Sequence, residues 1–248
     1  MIVLKSPQEI ERMKVPCRIV AEVLELLKAS VRPGTTTLAL NGIAEKEAMR
    51  HGVKPAFKGY SGYPYALCCS VNDQVVHGMP SNKPLQDGDI LSLDFGVFVD
   101  GFYGDAAVTL PVGEISVEAK RLIKATEESL YAAINAATPA NRLSDISSAV
   151  QAYVEARGFS VVRDFVGHGI GKNLHESPQV PNYGLPGRGV KLKPGMVLAI
   201  EPMINEKGPA VRILEDGWTA VTEDGGLSAH FEHTVAITER GPEILTKL

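Results

Sequence analysis

Two carboxylates stand out in the segment Leu91-Ser92-Leu93-Asp94-Phe95-Gly96-Val97-Phe98-Val99-Asp100-Gly101-Phe102-Tyr103-Gly104-Asp105. Asp100-Gly101 is a strong signal for a two-residue type I′ turn. Such a turn pairs Val99 with Phe102, Phe98 with Tyr103 and Gly96 with Asp105. Asp94 then shares a face with Asp105 and lies diagonally across from it, about 7–8 Å away between backbones. Gly96 has no side chain, which leaves a gap in which a cation fits. Carboxylates in so apolar a hairpin are costly unless they are paired or bound to metal. The plain alternative is a rim pair that faces solvent or bonds an arginine.

Three later segments add to this pair. Gly167-His168-Gly169-Ile170-Gly171 sets an imidazole in a glycine-rich loop, where backbone can approach closely. Val197-Leu198-Ala199-Ile200-Glu201-Pro202 ends an apolar strand on a glutamate, where propensity favours another apolar residue. Phe231-Glu232-His233-Thr234-Val235 begins one on a glutamate. Each is weak alone, since a lone histidine is most often packed or at the surface. Together, four carboxylates and one imidazole form an oxygen-rich donor set. It suits Mn(II), Fe(II), Co(II) or Mg(II) better than a structural zinc site, which would want cysteine or more histidine. Two ions about 3.5–4 Å apart would lower the pKa of a bound water and stabilise a tetrahedral intermediate.

These residues need a scaffold, and the sequence predicts an α+β one. A helix is signalled from Ser6, with Pro7 at its first position and Glu9 closing a capping box. Pro33-Gly34-Thr35 breaks it, a second helix runs from about Thr37 to His51, and Gly52 caps its end. The plan recurs: a helix over 117–136 stops before Pro139, another runs from about Leu143 to Arg157, and Gly158 caps it. Pro33 and Gly52 thus reappear as Pro139 and Gly158 at one spacing, so a duplicated layout and a coincidence both remain open. Strands are predicted at 66–71, 90–99, 102–110, 160–166, 196–200, 210–214, 218–221 and 230–238. The architecture expected is a curved antiparallel sheet with two pseudo-symmetry-related helix pairs on its outer face. It is expected as one domain over 1–248, with halves of roughly 1–110 and 111–248.

Composition narrows the class further. Apolar residues make up 44% and charged residues 22%, an ordinary globular balance, and the net charge of -4 offers no footprint for nucleic acid or an anionic membrane. No apolar run approaches the length of about 18 residues needed to span a bilayer. The start Met1-Ile2-Val3-Leu4-Lys5-Ser6-Pro7 does not read as a secretory signal. Three cysteines, two of them adjacent, argue against a disulfide framework and for a reducing, cytoplasmic setting.

At these residues the chain resembles the type I methionine aminopeptidases, metallopeptidases of the pita-bread fold. The likeness runs from Ser6-Pro7-Gln8-Glu9-Ile10-Glu11-Arg12-Met13 through Gly59-Tyr60-Ser61-Gly62-Tyr63-Pro64 and Asn72-Asp73-Gln74-Val75-Val76-His77-Gly78. It continues in Asp100-Gly101-Phe102-Tyr103-Gly104-Asp105 and Gly167-His168-Gly169-Ile170-Gly171, and closes with Ile200-Glu201-Pro202-Met203 and Glu232-His233-Thr234. The resemblance implies two divalent ions, Mn, Fe(II) or Co(II). Asp94 would chelate one, His168 and Glu201 the other, and Asp105 and Glu232 would bridge them. It implies attack by a bridging hydroxide, Glu201 as proton shuttle, His175 polarising the scissile carbonyl and His77 touching the substrate beside it. The methionine pocket maps onto Tyr60, Tyr63, Cys68, Leu174 and Trp218. Phe57 and Leu174 depart from some members of the family and bear on that pocket alone, and Phe95-Gly96 differs from many bacterial relatives.

The implied activity is removal of the initiator methionine from nascent polypeptides with a small second residue. A monomer is expected, and any contact with the ribosome would use the catalytic domain's own surface. Two rivals stand beside this reading. An Xaa-Pro aminopeptidase or dipeptidase of the same fold usually carries an extra N-terminal domain, whereas this chain opens almost directly on its first helix. A non-catalytic binding module of the same fold would be expected to have lost metal ligands.

Overall fold

The computed structural model describes residues 1–248. Four helices, α1 (Pro7–Ser30), α2 (Thr37–Arg50), α3 (Val117–Ala136) and α4 (Leu143–Glu155), occur as two consecutive pairs. Fifteen strands accompany them: β1 (Lys54–Pro55), β2 (Leu67–Val71), β3 (Gln74–Val76), β4 (Ile90–Val99), β5 (Phe102–Pro111), β6 (Ser160–Val161), β7 (Gly167–Gly169) and β8 (Glu176–Val180). The rest are β9 (Val197–Ile200), β10 (Met203–Asn205), β11 (Val211–Ile213), β12 (Ala220–Thr222), β13 (Ser228–His230), β14 (Glu232–Thr238) and β15 (Gly241–Ile244).

Local chemistry accounts for the helix ends. Ser6 accepts a hydrogen bond from the Glu9 amide while the Glu9 carboxylate accepts from the Ser6 amide, the reciprocal cap expected. Thr36 and Ser116 cap α2 and α3 with their hydroxyls alone, which accept from the Ala39 and Ala119 amides. Gly52, two residues past the end of α2, and Gly158, three past the end of α4, both take positive φ.

The central sheet has the order β1-β4-β5-β14-β9-β7-β8, with β2 also on β4 and β15 also on β14, and every pairing is antiparallel. The helices cover one face of this curled sheet. Leu91, Leu93 and Phe95 of β4 pack with Val20, Leu24 and Leu27 of α1 and Leu40 of α2. Leu198, Val235 and Ile237 pack with Leu122 and Leu130 of α3 and Ile146 of α4. The alternate residues of the same strands point to the other face, which the helices leave uncovered.

The long hairpin forms in the expected register, Val99 with Phe102 and Gly96 with Asp105, and Asp100 and Gly101 both take positive φ. Three expectations need correction. The strand predicted over 160–166 stops at Val161, and His168 lies on a strand, β7, rather than in a loop. The run 230–238 breaks at Phe231, because His230 pairs with Met203 in a separate three-stranded sheet before β14 joins the central one. Strand β7 was hidden by its glycines. They are there because a Cβ at Gly167 would lie 2.4 Å from the Ala199 carbonyl oxygen and one at Gly169 2.4 Å from that of Ser177.

Candidate metal centre

Five adjacent strands, β4-β5-β14-β9-β7, each bring one of the five candidate ligands to the uncovered face. Asp94 on β4 stands opposite Ala107 on β5, and Ala107 stands opposite Glu232 on β14. His233 pairs with Ile200, so Glu232 and Glu201 continue the same row beyond the end of β9. Asp105 lies two residues from Ala107, and His168 pairs with Ala199, two residues from Glu201, which puts both on the same face one step along. Ala107 and Ala199 are the small, buried residues beneath this acidic row.

The side chains converge accordingly. Donor atoms of Asp105, His168 and Glu232 all lie within 4.8 Å of one another. Nε2 of His168 lies 3.4 Å from Oε1 of Glu201, and the Asp94 and Asp105 carboxyls are in hydrogen-bonding reach of each other. The space over Gly96 is closed by Oδ1 of Asp105, Cβ of Ala56 and the Gly104 carbonyl oxygen, each 3.1 Å from where a Cβ would stand. The missing side chain therefore admits the carboxylate rather than leaving a gap for a cation.

The electrostatics of this cluster favour positive charge among its side chains. Burial pushes the Asp94 carboxyl up, and those of Asp105, Glu201 and Glu232 well up; neighbouring carboxylates add to the rise for Asp105 and Glu232. Oδ1 of Asp94, Oδ1 of Asp105 and Oε1 of Glu232 are buried without a hydrogen-bond partner. Nδ1 of His168 sits 2.9 Å from the Gly169 carbonyl oxygen, which can only accept, so the ring proton is on Nδ1 and Nε2 offers a lone pair. Burial also drives that imidazole down to about 4, away from the imidazolium. Unpaired buried acceptors and a bare Nε2 against a carboxylate oxygen fit divalent cations, and the oxygen-rich set fits the metals named above.

The candidate auxiliary residues surround this row in a pocket of about 290 Å³, which Tyr60, Tyr63, Cys68, His77, Leu174, His175 and Trp218 all line. Cys68 stands opposite Asp94 and so extends the row onto β2. The His175 ring lies against His168 with centroids 4.3 Å apart, and its Nδ1 is 2.7 Å from the Tyr60 hydroxyl. His77, at φ 60, sets its ring edge-on to Phe165 and Trp218, and Trp218 in turn packs on Tyr63 at 5.2 Å. Phe57 also lines the pocket.

Sequence reasoning missed His230, Phe165 and Met203, which share the pocket. His230 is 2% exposed, and its Nε2 lies 3.6 Å from Oε2 of Glu201, so both carboxylate oxygens of Glu201 face an imidazole. Its only signal was a place two residues before Glu232, and the break at Phe231 hid what that spacing meant.

Over residues 11–239 the chain matches Metallopeptidase family M24. A methionine aminopeptidase of Clostridium perfringens is 58% identical, with 99% of both chains covered. The crystal structure of the methionine aminopeptidase of Thermotoga maritima superposes with a TM-score of 0.98 at 51% identity over 100% of each chain. A prolidase of Pyrococcus furiosus shares the fold alone, with a TM-score of 0.78 at 23% identity over 99% of this chain and 66% of its own.

Proposed function

The chain belongs to Metallopeptidase family M24, and on that premise we propose that it is a methionine aminopeptidase, a hydrolase that releases the N-terminal methionine of polypeptides. The single observation that carries this reading is the row of Asp94, Asp105, Glu232, Glu201 and His168 at the floor of a pocket walled by aromatic, thiol and aliphatic side chains. These five would hold two divalent ions, Mn, Fe(II) or Co(II): Asp94 on one, His168 and Glu201 on the other, Asp105 and Glu232 shared. Both halves of the chain contribute ligands, so the catalytic unit is the whole chain.

When bound, the ions supply an activated water and positive charge for the scissile carbonyl oxygen. Glu201 accepts the proton of the attacking water and returns it to the departing amine. His175 donates to the carbonyl oxygen as negative charge develops there; the Tyr60 hydroxyl, 2.7 Å from Nδ1, can donate to that nitrogen in the tautomer that carries its proton on Nε2. His77 contacts the substrate beside the scissile peptide. Tyr60, Tyr63, Cys68, Leu174 and Trp218 receive the methionine side chain, whose thioether gains from sulfur and aromatic contacts.

The natural substrates in this reading are nascent chains with a small second residue, met in the cytoplasm by a monomer, with the ribosome surface as a further partner. No helix is long and apolar enough to cross a membrane. The proline-directed alternative is not favoured, since full-length relatives at 45–58% identity are methionine aminopeptidases. The test is hydrolysis of Met-Ala-Ser, Met-Lys-Ser and Ala-Pro-Ala by protein supplied with Mn(II) or Co(II). Release of methionine from Met-Ala-Ser alone is expected. Cleavage of Ala-Pro-Ala instead would move the chain to the proline-directed enzymes.

A further inference from the structure

We propose that Lys5 is a positioning residue for this reaction, acting through Glu176 to hold the loop that carries Leu174 and His175 against the site. Nζ of Lys5 lies 2.6 Å from Oε2 of Glu176, and the two side chains are only 3% and 8% exposed. The other oxygen of the same carboxylate, Oε1, accepts from the Asn173 amide at 3.1 Å. One carboxylate therefore ties the segment before α1 to the loop between β7 and β8 on both of its oxygens.

Both ends of this connection are fixed. The Lys5 amide donates to the Gly195 carbonyl at 2.7 Å, and Ser6 next to it caps α1. The loop backbone is pressed onto the ion pair at Gly171, where a Cβ would lie 2.5 Å from Cε of Lys5 and 2.8 Å from Oε1 of Glu176. The Gly171 carbonyl accepts from the Tyr103 amide, which joins the loop to the hairpin that bears Asp105. At the far side of the loop Leu174 is buried in the pocket wall, and His175 packs on His168.

A buried ion pair is a poor device for stability alone, because a well-packed apolar pair serves as well or better. What it adds is direction: short charge-assisted bonds fix where the loop backbone lies. Displacing the loop by about 1 Å would move both the group that meets the carbonyl oxygen and a wall of the methionine pocket, at a cost of roughly 10- to 100-fold in rate.

This inference rests on the proposed aminopeptidase activity, and the test separates the two. Lys5→Met and Lys5→Met/Glu176→Met are compared with the parent for kcat, KM on Met-Ala-Ser, Mn(II) binding, and amide hydrogen exchange over 171–176. The expected result is unchanged Mn(II) binding, kcat lower by roughly 10- to 100-fold, a KM several-fold higher, and faster exchange confined to the loop. The double variant leaves no unpaired buried charge, so it carries the test if the single one fails to fold. A variant with the parent's KM and unaltered loop exchange overturns the proposal, even if it melts earlier or yields less active protein. If the parent releases no methionine, the proposed function fails, and loop exchange alone then decides the role of Lys5.

Discussion

Nε2 of His168 and Oε1 of Glu201 face each other at 3.4 Å, and the imidazole puts no proton between them. The ring proton is committed to the Gly169 carbonyl through Nδ1, and burial disfavours the imidazolium. Two electron-rich atoms so placed repel unless a carboxyl proton or a metal cation lies between them. The same holds for the orphaned oxygens of Asp94, Asp105 and Glu232.

Removing a donor from this row should therefore act first on metal binding. His168→Ala and Glu232→Gln are expected to weaken Mn(II) or Co(II) binding by 10- to 100-fold or more, since outer-shell changes alone cost about that much. Methionine release should fall at least in proportion. Calorimetric titration of chelator-treated protein measures this directly, and unchanged affinity in both variants would contradict the assignment.

The metal-free chain is expected to lose stability as pH rises above about 6.5. Burial raises the carboxyls of Asp94, Asp105, Glu201 and Glu232, so the folded state binds more protons than the unfolded chain above the ordinary carboxylate range. Their contribution to stability falls as pH rises. Burial lowers His77 and His168 to about 4, which opposes that trend between about 4 and their ordinary value of 6.5. Above 6.5 the histidines no longer offset the carboxylates. Chelator-treated protein should melt lower at pH 8 than at pH 6.5, with Mn(II) abolishing the difference. An equal or higher Tm at pH 8 without metal would count against it.

Tyr60→Phe removes the hydroxyl beside Nδ1 of His175 from a side chain that is 39% exposed. The loss of one hydrogen bond, about 1 kcal/mol, is expected to lower kcat by roughly 5- to 10-fold. Tm should stay within about 1 °C of the parent, because the bond is at the pocket mouth. Steady-state kinetics with a melting curve separates the two effects; a large fall in Tm would assign Tyr60 a structural role instead.

Much of this site was legible in the sequence because each ligand breaks a local rule. Asp94 and Asp105 sit in an apolar hairpin whose Asp100-Gly101 turn fixes register, and Glu201 and Glu232 stand at the ends of apolar strands. The start of α1 and the ends of α2 and α4 were legible to within two residues, since Ser6 caps and Gly52 and Gly158 terminate. What stayed hidden depends on contacts distant in sequence. Strand β7 carries too many glycines to read as a strand, and the need for them lies in the carbonyls of Ala199 and Ser177. His230 joins the site only because β13 pairs with β10, which no local pattern announces.

Thr234 holds the hairpin to β14 by an unusual bond set: its hydroxyl accepts from the Asp105 amide at 3.2 Å and donates to the Asp105 carbonyl at 2.8 Å. Thr234→Val, of similar shape, would leave both backbone groups buried and unpaired. The expected cost is about 1–3 kcal/mol, read by denaturant unfolding of the metal-free protein. A change below about 0.5 kcal/mol would show that the hydroxyl is dispensable.

Leu174→Ala and Trp218→Ala each enlarge the pocket that both side chains line. Each is expected to raise KM for Met-Ala-Ser by roughly 10-fold or more, in line with about 1.4 kcal/mol of lost contact, while metal binding is unchanged. Steady-state kinetics on chelator-treated and reloaded protein checks both; unaltered KM in both variants would place the methionine side chain elsewhere.

The most direct test of the central claim is to titrate Mn(II) into chelator-treated protein while following methionine release from Met-Ala-Ser. Activity that is absent without metal and rises to saturation as the ions bind, with Glu232→Gln silent throughout, is the expected result. Methionine release that persists without metal, or none at any metal concentration from folded protein, would contradict the account.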